Sequence, residues 1–213
     1  MKTEDLVSLL AADVAPVDRY APGKRFAWAL LFGIVGAVVL MAVLFGVRRD
    51  IGEAILMPMF WVRLGFAIAM AAASLVVTAR LSRPGMRPGK AWLGIAAPVL
   101  AAWIAAAVML ALAAPDARLG LILGHTWRVC PLCIAILSTP AFVTIFWAIK
   151  GLAPTLLRLA GAAGGLLAGA TGTMAYCLHC PELAAPFWSL WYLLGMAVPT
   201  VVGALLGPRL LRW

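Results

Sequence analysis

The amino-acid sequence predicts an all-α membrane protein: a six-transmembrane-helix bundle with a short cytoplasmic N-terminal amphipathic helix. Three observations lead there. Of the 213 residues, 65% are hydrophobic and only 12% charged. Soluble domains carry about twice that charge, so the apolar surplus needs lipid rather than water. Six apolar runs, each near the roughly 20 residues of helix that cross a bilayer core, are bounded by charges. Gly and Ala recur inside the runs, in place of the short alternating segments of a transmembrane barrel.

In chain order, residues 1–22 form a cytoplasmic arm and residues 23–213 the transmembrane domain. Within the arm, Leu6, Leu9, Leu10 and Val14 fall at helical spacing with Glu4, Asp5 and Asp13 elsewhere on the turn, and Pro16 ends the helix. So short a helix needs a partner to cover its apolar face. The acids disfavour an anionic membrane surface and favour a protein groove lined with apolar and basic residues, with Leu6, Leu9, Leu10, Asp5 and Asp13 as contacts. The same acids, with Asp18, leave no basic n-region, so no removable signal peptide is expected.

The six spans follow at Phe26–Gly46, Ile55–Thr78, Ala91–Ala114, Pro131–Ile149, Leu157–Tyr176 and Phe187–Leu206. With six spans the termini share one side, and twelve of the 17 Lys and Arg residues fall there. Only Arg48, Arg49, Arg118 and Arg128 fall on the other side, with Arg63 inside the second span. The positive-inside rule therefore puts both termini in the cytoplasm. The cations sit singly or in pairs between apolar runs, which orients helices and does not build a nucleic-acid surface, so no direct nucleic-acid contact is expected. Arg63 is expected to snorkel outward beside Trp61. Gly161, Gly165 and Gly169, and again Gly203 and Gly207, repeat every four residues, a packing stripe. No Asp, Glu or Lys lies within a span, which disfavours ion-coupled transport.

The chemistry-bearing residues are the four cysteines. Cys130-Pro131-Leu132-Cys133 opens the fourth span and Cys177-Leu178-His179-Cys180 follows the fifth, so an antiparallel hairpin brings both pairs to the outer side. Two such pairs suit thiol exchange and redox sensing, and equally a site for Zn²⁺ or another thiophilic metal ion, with His179 as an added ligand. They also suit plain structural disulfides. His125 and Glu182 flank the pairs as further candidates.

The opening MKTEDLVSLLAADVAPV, the stretch GATGTMAYCLHCPE and the ending GALLGPRLLRW resemble the NrsF-type anti-sigma factors, negative regulators of an extracytoplasmic-function sigma factor. The resemblance spans essentially the whole chain. It implies a multi-pass protein of the bacterial inner membrane and not an enzyme, whose N-terminal arm holds the sigma factor and whose outward cysteines respond to oxidising or heavy-metal stress. It also implies that Cys130 and Cys180 are the family's key thiols, with Cys133 and Cys177 as additions. Local disulfides, a cross-hairpin bond and a four-sulfur metal site all stay open. Two other readings remain: a thiol-disulfide oxidoreductase of the DsbB-like kind, and a metal-binding structural membrane protein.

Overall fold

The computed structural model describes residues 3–12 and 20–212, and among these every regular element is helical. A short helix, α1 (Thr3–Ala12), precedes the bundle. The long helices are α2 (Ala21–Leu44), α4 (Pro58–Leu81), α5 (Trp92–Leu112), α9 (Leu157–Tyr176) and α10 (Ala185–Leu210). Between them lie α3 (Ile51–Ala54), α6 (Pro115–Leu123), α7 (Cys130–Leu137) and α8 (Thr139–Lys150). Proline opens the first turn of α2, α4 and α10, where its missing N–H costs no hydrogen bond and its fixed φ suits the helix. α2 ends where Gly46, at φ +74°, turns left-handed and donates its N–H back to the Met41 carbonyl.

Among the described residues, four helices are long and apolar enough to cross a membrane: α2, α4, α10, and α5 with the turn before it. The pair α7 and α8 makes a fifth candidate bent by 44° at Ser138. Pro140 causes that bend, because it cannot continue the N–H ladder of α7. The corner fits between two glycines: a Cβ on Gly172 would lie 2.7 Å from the Ser138 nitrogen, and one on Gly36 2.7 Å from the Pro140 ring. α9 occupies the fifth predicted run with the predicted bounds, yet it is less apolar than the others. The six-span count therefore stands at four to five by length and hydropathy. The physical reason is position. α9 packs against α2, α4, α7, α8 and α10, and most extensively against α10, so Gly, Ala and Thr line it instead of lipid-facing Leu and Val. Large apolar side chains appear on the outer helices, as with Val35, Val39 and Val43 of α2 and Leu100, Ile104 and Val108 of α5, all exposed.

Contacts between connections define two ends. At one end the 46–50 loop meets the segment after α9, with the Arg48 N–H donating to the Leu178 carbonyl. There too the turn before α7 meets that segment, the His125 N–H donating to Glu182 Oε1 at 2.7 Å. At the other end the Gly85 N–H donates to Thr155 Oγ1, and the Arg25 guanidinium lies over the Trp147 ring. The chain enters α2 at this second end, opposite the cysteines.

Candidate functional site

The last turns of α9 and the residues after it build the site. Past Tyr176 the helix tightens: the Cys177 N–H donates to the Thr173 carbonyl, and the N–H groups of His179 and Cys180 both donate to the Tyr176 carbonyl. A helix C-terminus leaves carbonyls unpaired and carries partial negative charge. Arg63 of α4 answers both needs. Its Nη2 donates to the Cys177 carbonyl at 2.8 Å, and its Nη1 to the carbonyls of Cys180 at 3.0 Å and Glu182 at 2.6 Å. The expected outward snorkelling of Arg63 is thus corrected: its side chain is fully buried, because three carbonyls inside hold the guanidinium better than a distant headgroup. Trp61 goes its own way, donating Nε1–H to the Ile55 carbonyl.

A second arginine closes the clasp. Arg48 Nη1 donates to the Cys180 carbonyl at 3.2 Å, while its Nε and Nη2 grip the Asp50 carboxylate. That bidentate grip holds the Asp50 carboxyl down at about 2. His179 turns its ring toward the 46–50 loop, with Nδ1–H donating to the Gly46 carbonyl at 2.9 Å, between the rings of Phe45 and Tyr176. Gly124, at φ +55°, permits the turn before α7, since a Cβ there would run into Phe187 and the Glu182 carboxyl.

The four thiols come together in one apolar cluster with Tyr176, Phe187, Trp188 and Tyr192. All four are buried and unbonded, Cys133 being the most accessible at 8%. Cys130 faces the Tyr176 hydroxyl, and Cys177 lies beside the Tyr192 hydroxyl and Arg63. Burial pushes the Cys177 thiol, just past the end of α9, up to about 11. Among the described residues, no group of three or more His, Cys, Asp or Glu side chains is placed to hold a metal ion. The Cys130 and Cys177 sulfurs each lie beside a tyrosine hydroxyl, and His179 is turned to the Gly46 carbonyl. Of the flanking candidates, the Glu182 carboxylate accepts the His125 main-chain N–H.

The candidate contact helix lies far from this cluster in sequence. α1 shows Leu6 at 42% and Val7 at 60% exposure, with Glu4 and Asp5 in its first turn. Leu9 and Leu10 are helical, but their side chains, and all of Asp13, lie outside the described residues.

Residues 10–213 match the family described as "NrsF: Negative regulator of sigma F". The chain belongs to the NrsF family. At 50% identity over 213 residues, covering all of both chains, it is similar to the probable anti-sigma-F factor NrsF of Azospira oryzae. At 39% over 215 residues, again covering both completely, it is similar to the anti-sigma-F factor NrsF of Caulobacter vibrioides. No solved structure matches. For an NrsF-family chain, the residues that sequence reasoning missed are Arg48 and the tyrosines, together with the inward course of Arg63. The charge of Arg63 inside an apolar run was the available signal.

Proposed function

We propose that this NrsF-family chain is a bacterial inner-membrane anti-sigma factor, crossing the bilayer six times with both termini cytoplasmic. In this reading it holds an extracytoplasmic-function sigma factor through its N-terminal arm and releases it when the outward cysteine cluster changes state. The observation that carries the reading is the end-to-end similarity to two anti-sigma-F factors at 50% and 39% identity.

Three features support the finer parts. α1 exposes Leu6 and Val7 beside Glu4 and Asp5, the pattern an apolar groove with a basic rim would bind. The basic residues of the α4–α5 connection, Lys150 at the end of α8 and Arg158 in the first turn of α9 lie at the end where α2 begins, which supports a cytoplasmic placement of that end. The four thiols share one cluster with the end of α9, the helix that touches every long helix except α5 extensively. Two of them joining as a disulfide would pass two electrons and two protons to an oxidant such as a peroxide. A thiophilic heavy metal would instead displace thiol protons. Either change repacks α7, α9 and α10 around Tyr176 and Tyr192.

The test is co-purification from membranes. A sigma factor accompanies the intact protein and is lost when residues 1–20 are deleted, whereas unaltered binding after the deletion rejects the contact. Replacing all four cysteines with serine should leave sigma binding intact and abolish its release by oxidant or metal. Continued release from that variant rejects the sensor.

A further inference from the structure

The cytoplasm-proposed end holds a feature that the regulatory reading does not use. α2 and α4 both pack on α9 but scarcely on each other, which leaves a lipid-facing groove between them. Phe26 and Leu30 line one wall, Leu75 and Ala79 the other, and Arg83 stands at the mouth of a space of about 400 Å³. On the far side of Ala79 a second space of about 530 Å³ is lined by Val76 and Met86, with Arg80 and Arg83 again at its rim. Two apolar channels thus flank one pair of exposed guanidinium groups.

Depth and charge identify the occupant. Arg80 lies in the last turn of α4 and Arg83 just past its end. The 24 residues of α4 rise about 36 Å, slightly more than the roughly 30 Å hydrocarbon core, so its last turn reaches headgroup level. Arg87 and Lys90 follow in the same connection, and no Asp or Glu occurs anywhere between Glu53 and Asp116. A zwitterionic headgroup would bring its own cation into this field, whereas an anionic one brings only the charge the arginines lack. Basic pockets between transmembrane helices recognise anionic lipid headgroups in this way.

We propose that the α2–α4 groove is a binding site for an anionic phospholipid, its phosphate held by Arg80 and Arg83 and its acyl chains laid in the channels on either side of Ala79. The experiment is native mass spectrometry of the full-length protein in detergent, with phosphatidylglycerol and phosphatidylcholine of identical acyl chains offered in equal amounts. The wild-type protein retains phosphatidylglycerol preferentially, and Arg80→Gln with Arg83→Gln reduces that preference by at least about tenfold. Equal retention of the two lipids, or an undiminished preference in the double variant, overturns the proposal. A photo-crosslinking amino acid at Leu30 of the full chain, activated in native membranes, supplies the second measurement. A phospholipid adduct is expected. Capture of residues 1–20, of a second copy, or of no lipid overturns the proposal.

Discussion

Arg63 brings its positive charge against three main-chain carbonyls rather than a carboxylate, and Arg48 shares one of them. The planar fork lets one side chain span Cys177, Cys180 and Glu182 together, which an ammonium group cannot reproduce. Arg63→Met therefore leaves two carbonyls without a donor, and at about 1–3 kcal/mol for each unsatisfied buried group the protein should lose roughly 3 kcal/mol. Thermal unfolding in detergent reads this as a lowered midpoint, with Arg63→Lys falling between Met and wild type. A Met variant as stable as wild type would remove the clasp from the account. The clasp was invisible in the sequence for a definite reason: the carbonyls that Arg63 meets lie 114 to 119 residues away, and main-chain groups leave no mark on residue identity. Cys177 offers a second residue-scale test. Burial raises its thiol to about 11, so the folded state keeps a proton that the unfolded chain sheds near the ordinary thiol value. That contribution to stability is complete below the ordinary value of 9.0 and is lost as pH rises from there toward 11. In detergent, a small neutral maleimide should label Cys177 slowly at pH 8 and progressively faster as pH approaches 11. Rapid labelling at pH 7 would contradict the buried, protonated thiol.

Where α9 crosses α10, backbone meets backbone. A Cβ on Gly161 would overlap the Gly203 carbonyl, one on Gly165 the Pro199 carbonyl, and one on Gly203 the Gly161 carbonyl, while Gly207 would meet the Leu157 carbonyl. Neither wall is the flexible end of a side chain, so the helices must separate to admit a larger residue. Gly165→Leu should cost about 3 kcal/mol or more, the upper range for overpacking. The lipid-facing Gly65, where an added Cβ would meet nothing within 4 Å, should accept Leu with little change. Membrane-inserted protein level and unfolding midpoint measure both, and equal behaviour of the two variants would contradict the close crossing. At this scale much was legible. The four-residue glycine spacing announced close packing, and α9 has the bounds Leu157–Tyr176 that the apolar run predicts. Helix ends elsewhere differ by a few residues because hydropathy marks the bilayer-facing stretch, whereas prolines such as Pro22, Pro58 and Pro186 mark where the helices begin. The break at Ser138 was hidden inside one continuous apolar run. The central place of α9 was hidden as well, since low hydropathy alone does not distinguish a buried helix from a weak span.

For the whole molecule, the regulatory proposal requires that the cysteine end and the arm, separated by the length of α9, about 30 Å, report on each other. Magnitude decides what kind of report to expect. Turning a 99:1 equilibrium into its inverse needs about 5.5 kcal/mol, whereas typical coupling between distant sites is about 1–3 kcal/mol. The clasp and the thiol cluster act on one end of one helix, so the smaller figure applies: oxidation should weaken sigma binding by about 5- to 150-fold, a graded release rather than an all-or-none one. In this proposal α9 would carry the strain, since it ends at Tyr176 beside Cys177 and packs along α10 through Gly161 and Gly203 toward the other end. Two measurements follow on the full chain in nanodiscs: sigma-factor affinity before and after oxidation, and the same ratio in Arg63→Lys. If the clasp transmits the change, the variant binds sigma normally when reduced and shows a smaller ratio on oxidation, because the loop that bears Cys177 and Cys180 is tied less tightly to α4. An unchanged ratio in Arg63→Lys would show that the signal travels through the α9–α10 crossing alone. Linkage makes the relation reciprocal, so bound sigma factor should make the cysteines harder to oxidise by the same factor, a shift in their midpoint potential that redox titration with and without sigma factor reads directly.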